Sequence, residues 1–193
     1  MKACLSAPGA PQVLQSNRLD LRPPCADDLD DCARMWRDQT TTVFMGGEPF
    51  TREQVWSRLL RHVGHWSVLG FGFWTLRDRE SGAFVGEAGF YHLLRELQPS
   101  PGDDPEVGWV LAPEARGKGL AREAVSTILK WADRHFSASK TICLIDPDNR
   151  ASIGVALDCG FRPTGEVAHV TGKLVLLKRN RECRPEPDND WRS

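Results

Sequence analysis

A chain of 193 residues, 40% hydrophobic and 26% charged, is long enough for one domain with a buried core and has the balance of a globular protein. Its 25 Lys and Arg nearly cancel 26 Asp and Glu, and the net charge of −1 gives no global attraction to nucleic acid or to an anionic membrane. No apolar run approaches the roughly 20 residues that span a bilayer, and Met1 to Pro11 lacks the apolar stretch of a secretory signal, so a cytoplasmic location is expected.

Residues 1–16 read as a disordered leader and 181–193 as a disordered polar tail, leaving one domain over 17–180. Arg18 to Arg22 alternates polar and apolar residues, a strand stopped by Pro23 and Pro24. Leu29, Cys32, Ala33 and Trp36 follow at helical spacing between Asp27 and Asp38. Thr51 suits the cap of a second helix, Arg52 to Val63, with Val55, Leu59 and Leu60 on one face. His62 and His65 lie three apart in a region that reads as helical and could share a face, but two ligands without a third define no metal site, and a solvated face is expected. The six cysteines form no Cys-x-x-Cys pair, which argues for reduced thiols and against zinc.

A hairpin comes next, Phe71–Leu76 and Ala83–Tyr91 joined by Arg79-Glu80-Ser81-Gly82. A proline-rich loop, Gln98 to Pro105, leads into a strand from Glu106 to Leu111. From Leu120 to His135 apolar residues recur at helical period, and Thr141–Ile145 is a short buried strand. Asn149 to Cys159 reads as a helix ended by Gly160, and two strands near Phe161–Ala168 and Lys173–Lys178 close the chain. This order gives an α/β (α+β) domain with a mixed sheet flanked by helices.

Between the strand at 106–111 and the helix from 120 lies Arg116-Gly117-Lys118-Gly119-Leu120-Ala121. Glycines allow a tight turn close to a ligand, and the helix start offers unpaired N–H groups and the positive end of its dipole, a setting for phosphate. The loop is not a Walker loop, because Leu120 follows Gly119, and it has too few glycines for a dinucleotide fingerprint.

Arg116-x-x-Gly119-x-Ala121 is similar to the (Gln/Arg)-x-x-Gly-x-(Gly/Ala) element of the GNAT superfamily of N-acetyltransferases. Phe73–Leu76, Phe84–Phe90, Glu106–Ala115 and Asn149-x-x-Ser152 through Gly165 also resemble that superfamily in matching order, and the branch resembled is the RimJ/RimL type, acting on ribosomal-protein N-termini. The resemblance implies a mostly antiparallel twisted sheet and acetyl-coenzyme A (acetyl-CoA) as cosubstrate, with no metal. It implies that N–H groups from Arg116, Gly117, Lys118, Gly119, Leu120 and Ala121 hold the pyrophosphate, with Arg116, Lys118 or Arg122 adding charge. Backbone N–H groups near Val110 and Leu111 would polarise the thioester carbonyl.

Acetyl transfer needs a neutral amine, a polarised carbonyl and protonation of the departing thiolate. Glu106 is the candidate base, against the alternative of an ordinary solvent-facing residue at a strand start. Glu87 is the second choice; if both line one cleft, like-charge coupling raises one pKa. Asn149 is a natural N-cap and is also assigned by the resemblance to hydrogen bonding in the site, with Ser152 on the thiolate side. Many relatives carry a tyrosine donor where this chain has Ala156, so Ser152 or water must serve; the sole tyrosine is Tyr91. Cys159 reads as a core thiol rather than a nucleophile. Trp36, Trp56 and Trp66 read as core anchors or the lining of an acceptor pocket, and the loop 44–50 as a lid or a plain connector. The expected reaction is direct transfer to a primary amine, a protein N-terminus or a small molecule, by a monomer or homodimer. A non-catalytic acyl-CoA sensor of the same fold is the alternative.

Overall fold

The apolar and alternating runs of the chain are gathered into one sheet. The computed structural model describes residues 12–95, 97–169 and 172–181. Its strands are Leu14–Gln15 (β1), Leu19–Arg22 (β2), Phe73–Asp78 (β3), Phe84–Tyr91 (β4), Glu106–Leu111 (β5), Lys140–Ile145 (β6), Arg162–His169 (β7) and Gly172–Asn180 (β8). They form an eight-stranded sheet in the order β1-β2-β3-β4-β5-β6-β8-β7. Every neighbouring pair is antiparallel except β5 and β6, which run parallel and share one register position, Glu106 opposite Ile142.

The helices are Leu29–Arg37 (α1), Gln39–Thr42 (α2), Arg52–Leu69 (α3), Leu120–His135 (α4) and Arg150–Asp158 (α5). α4 makes the crossover that a parallel strand pair requires. Its apolar stripe, including Val125, Ile128 and Trp131, packs into the main core with Leu19, Trp74 and Phe90. A second core joins Met35 and Trp36 of α1 to Val55 of α3 and Phe84 of β4. Every residue of β4 from Phe84 to Phe90 is buried, so both its faces are covered. None of the helices in the described residues is long and apolar enough to cross a membrane.

α3 starts at a capping box, with Thr51 Oγ1 accepting from the Gln54 N–H and Gln54 Oε1 accepting from the Thr51 N–H. It runs beyond the expected end at Val63 because Trp66 has its own anchor: its indole N–H donates to the Phe73 carbonyl at 2.7 Å, and its ring meets Trp74 and Trp131 edge-on. The leader expected over 1–16 is also corrected in part. Residues 14–15 form β1, and Gln12 accepts the indole N–H groups of Trp74 and Trp131, which need partners when buried. Residues 1–11 and 182–193 lie outside the described residues. At the other edge of the sheet, β7 is largely exposed.

β3 and β4 approach so closely at Phe73 and Gly89 that a Cβ on Gly89 would stand 2.3 Å from both the Phe73 Cα and the Gly72 carbonyl oxygen. Backbone cannot give way as a flexible side chain does. Gly89→Ala is therefore expected to destabilise the fold by about 3 kcal/mol or more, read as a lowered midpoint in urea unfolding.

Candidate active site

β5 and β6 part after their single point of pairing. The Ala112 N–H donates to Val85 O, and the Ile142 N–H to Pro105 O. By the alternation of a β ladder, the backbone groups of residues 106, 108 and 110 are turned to β4, and those of 107, 109 and 111 to β6. Beyond Ile142 there is no β6 partner to meet them, so the N–H groups of Trp109 and Leu111 face a gap. Of the two expected polarising groups, Leu111 fits this position, whereas the Val110 N–H is spent on its register partner Glu87.

A cavity of about 310 Å³ fills this region. Trp109 and Val110 line it from β5, Leu144 and Ile145 from β6, and Asn149 and Ser152 from the α5 start. Phe44, Met45 and Phe50, from the 44–50 loop, also line it. Phe50 is held there by stacking on Trp36 at 4.9 Å between centroids.

The 116–121 loop does not line this cavity. Gly117 and Gly119 have φ of 73° and 74°, left-handed values that glycine adopts without penalty. Gly119 caps α4 with no side chain to accept from the first turn, so the N–H groups at that helix start are open to an anion. The Arg116 side chain, however, is committed to the protein. Its guanidinium donates to Leu111 O, Thr40 Oγ1 and Thr41 Oγ1 at 3.0, 2.8 and 2.6 Å, tying the loop to β5 and α2. Arg116 thus shapes the loop while remaining exposed, as Lys118 and Arg122 also are, Arg122 at 3.7 Å from Asp158. Leu120 is buried in the core and Ala121 half-buried against it.

Glu106 is not an ordinary surface carboxylate. Its side chain is 17% exposed, lines the cavity and pairs with Arg95. Burial pushes its carboxyl above the ordinary range, against the pull of Arg95 and His169. Across the sheet it stands opposite Tyr91, which lines the same cavity from β4. The Tyr91 hydroxyl accepts from Arg58 at 2.5 Å, and burial keeps the phenol protonated beyond its usual range.

Glu87 does not share that cleft. It is buried beneath it, accepting from the Trp36 indole at 2.9 Å and lying 3.7 Å from Arg58 Nε and 3.5 Å from His62 Nδ1. Burial opposes its ionisation, but these partners outweigh burial and hold the carboxyl well below the usual range. The expected like-charge coupling with Glu106 is replaced by pairing with a cation, and Glu87 is a fixed anion rather than a base. His62, expected on a solvated face, is 1% exposed and stacked on Phe73 at 4.5 Å; burial lowers its pKa and leaves the ring neutral. Among the described residues, no group of three or more His, Cys, Asp or Glu is placed to hold a metal.

Asn149 caps α5, its Oδ1 accepting from the Ser152 N–H at 3.0 Å. No described residue pairs with its Nδ2, and both Asn149 and Ser152 line the cavity. Ala156, one turn past Ser152, is fully buried in the main core. The described cysteines are free, and burial raises the thiol pKa of Cys32, Cys143 and Cys159, so none of these three is an activated thiolate. Sequence reasoning passed over Arg58, Arg61 and Arg95, all of which line the cavity. The signal available was the polar stripe Arg58, Arg61, His62 and His65 on α3.

Residues 18–162 match the Acetyltransferase (GNAT) domain family, and the chain belongs to it. It is 24% identical over 178 residues to p20, an uncharacterised N-acetyltransferase of Bacillus licheniformis, covering 87% of this chain and 97% of that one. A structure assigned to the GnaT acetyltransferases of Bordetella pertussis is 34% identical with a TM-score of 0.77, covering 87% of this chain and 99% of that one. The spermidine N-acetyltransferase of Vibrio cholerae, in complex with CoA and spermine, shares the fold at 15% identity and a TM-score of 0.67, over 86% and 97% of the two chains. The protein is an acetyl-CoA-dependent acyltransferase.

Because Glu87 is ionised against Arg58 in a buried site, Glu87→Gln is expected to cost about 3 kcal/mol of stability, the penalty of stranding a buried charge. The folded-state pKa of Glu87 lies below its ordinary value of 4.5. Its contribution is therefore complete above that pH and is lost as pH falls toward the folded-state value. Urea-unfolding midpoints of the wild type and Glu87→Gln should accordingly lie apart at pH 7 and converge in acid.

Proposed function

We propose that this enzyme transfers acetyl from acetyl-CoA directly to a primary amine, with Glu106 as the base. The observation that carries the reading is one cavity with Glu106 on its wall and Asn149 and Ser152 along the gap between β5 and β6. The chain's own groups fit the cosubstrate. The uncapped start of α4 and the left-handed turns at Gly117 and Gly119 suit a pyrophosphate, while the Trp109 and Leu111 N–H groups suit an amide-bearing arm laid in the gap like a missing strand. Acetyl-CoA would supply the activated thioester and the thiolate leaving group.

Glu106 takes the proton of the incoming ammonium, directly or through a water, and burial gives it more basicity than an ordinary carboxylate. The Leu111 N–H holds the carbonyl oxygen as negative charge develops there. Ser152, with its hydroxyl at the cavity, serves the thiolate side, and Asn149 orients that corner of the site. The absence of an activated thiol among Cys32, Cys143 and Cys159 supports direct transfer over an acyl-cysteine route. Ser152 and the order of motifs support the RimJ/RimL-type branch and a protein N-terminus as acceptor, in the cytoplasm. The exposed edge of β7 supports either a monomer or a homodimer joined there.

An acetyl-CoA consumption assay over amines and N-terminal peptides tests the reading. Glu106→Gln should lower kcat by roughly 10²–10⁴-fold. In the wild type, kcat should fall as pH drops through a pKa above 4.5, because the base works only when deprotonated; the variant should lack that limb. Unchanged turnover in Glu106→Gln removes the base assignment, and cofactor binding with no turnover of any amine in the wild type favours a sensor.

Ser152→Ala is a clean companion, because the Asn149 cap uses the Ser152 backbone N–H and survives the change. It is expected to lower kcat by about 10²-fold, the loss of one positioned proton donor, with the KM for acetyl-CoA and the melting temperature held. An unaltered kcat would assign thiolate protonation to water.

A further inference from the structure

The α3 end of the cavity holds more positive charge than transfer requires. Arg58, Arg61 and Arg95 all line it. Two of them are matched: Arg95 pairs with Glu106, and Arg58 lies 3.7 Å from Glu87, donates to Tyr91 and stacks 4.3 Å above the Trp36 ring. Even so, the buried Arg58 Nε has no hydrogen-bond partner among the described residues. Arg61, one turn further along α3, forms no ion pair or side-chain hydrogen bond with any described residue, and stands within electrostatic reach of both Arg58 and Arg95. Among the described residues, three guanidinium groups face two carboxylates at this end, and one positive charge is left uncompensated.

That charge discriminates among amines. A polyamine would bring further ammonium groups toward cations that already repel one another, a selection against such acceptors. A carboxylate does the reverse, because a planar guanidinium donates to it in bidentate fashion. Phe44, Phe50 and Phe73 line the same cavity, and apolar surroundings strengthen such a pair.

Resting on the acetyltransferase reading above, we propose that the acceptor is a primary amine that also carries a carboxylate, and that Arg61, supported by Arg58, binds that carboxylate while the amine faces Glu106. Free amino acids and peptide N-termini with an acidic residue near the amine share this chemistry. The same geometry frees Glu106 to take a proton, because an acceptor carboxylate shares the arginine cluster and Arg95 is no longer answered by Glu106 alone.

The test uses the full chain, acetyl-CoA and paired acceptors that differ only in charge: amino acids against their carboxamides, and N-terminal peptides with Asp or Glu against Asn or Gln at the second position. Spermidine is the polycation. The wild type should favour the carboxylate member by at least tenfold in kcat/KM, and which pair shows the preference separates free amino acid from peptide. Arg61→Ala should bring the two members of the pair within about twofold by raising the KM of the carboxylate member, with the carboxamide and acetyl-CoA parameters unmoved. Arg61→Lys should keep part of the preference. Equal kcat/KM within pairs, spermidine as the best acceptor, or an Arg61→Ala loss that is the same for both members overturns the proposal. Equilibrium binding of the paired compounds to CoA-loaded protein separates it from the catalytic reading. If no amine is turned over, the transferase mechanism fails; carboxylate-selective binding lost in Arg61→Ala still upholds the arginine site, and its absence refutes it.

Discussion

The parting of β5 and β6 is the constraint on which the site depends. A parallel pair would normally consume the N–H and C=O groups on both facing edges. Here pairing occurs at Glu106 and Ile142, and the edge groups of Trp109 and Leu111 are left for a ligand. An unpaired backbone N–H away from water is costly, so the gap is a site that favours an occupant with its own carbonyls. The rest of the sheet makes this opening tolerable. β4 holds β5 through six consecutive register pairs, and β8 holds β6 through six more, so each lip of the gap is fixed from its outer side.

Two charged clamps keep the surroundings of that opening in place. Arg116 joins β5 to Thr40 and Thr41, which sets the path of the chain into α4. Beneath the acceptor end, Glu87 gathers Trp36, Arg58 and His62 around one buried anion, locking α1 and α3 onto β4. Both residues looked from their sequence positions like candidates for ligand or proton work. Their geometry gives them positioning work instead, because each has spent its hydrogen bonds on the protein.

Most of the sheet and α4 were legible because their signals are local. The alternation at 18–22, the apolar runs at 73–76 and 84–90, and the stripe from Leu120 to Ala132 each report on one element and its exposed or buried face. The helix-start loop was legible for the same reason, since its glycines and its helix are contiguous. What could not be read depends on partners distant in the chain. β1 exists because Gln12 meets Trp74 and Trp131, and α3 continues to Leu69 because Trp66 meets Phe73. The inward face of α3 is partly polar, carrying Arg58 and His62, because it covers the buried Glu87. A hydrophobic period cannot reveal such a face, which is why His62 read as solvated.

The same distinction explains why the donor half of the reaction is easier to identify than the acceptor half. The groups that suit acetyl-CoA come from one continuous run, β5 through the start of α4, with Asn149 and Ser152 added from one helix start. The acceptor end draws Arg58 and Arg61 from α3, Tyr91 from β4, Arg95 from the following loop and Glu106 from β5. Its net charge is a property of the assembled surface and belongs to no motif. Chains that keep the contiguous half can therefore share the donor and still differ in the amine they accept, since changing one exposed residue such as Arg61 alters the field at the acceptor without disturbing the gap between β5 and β6.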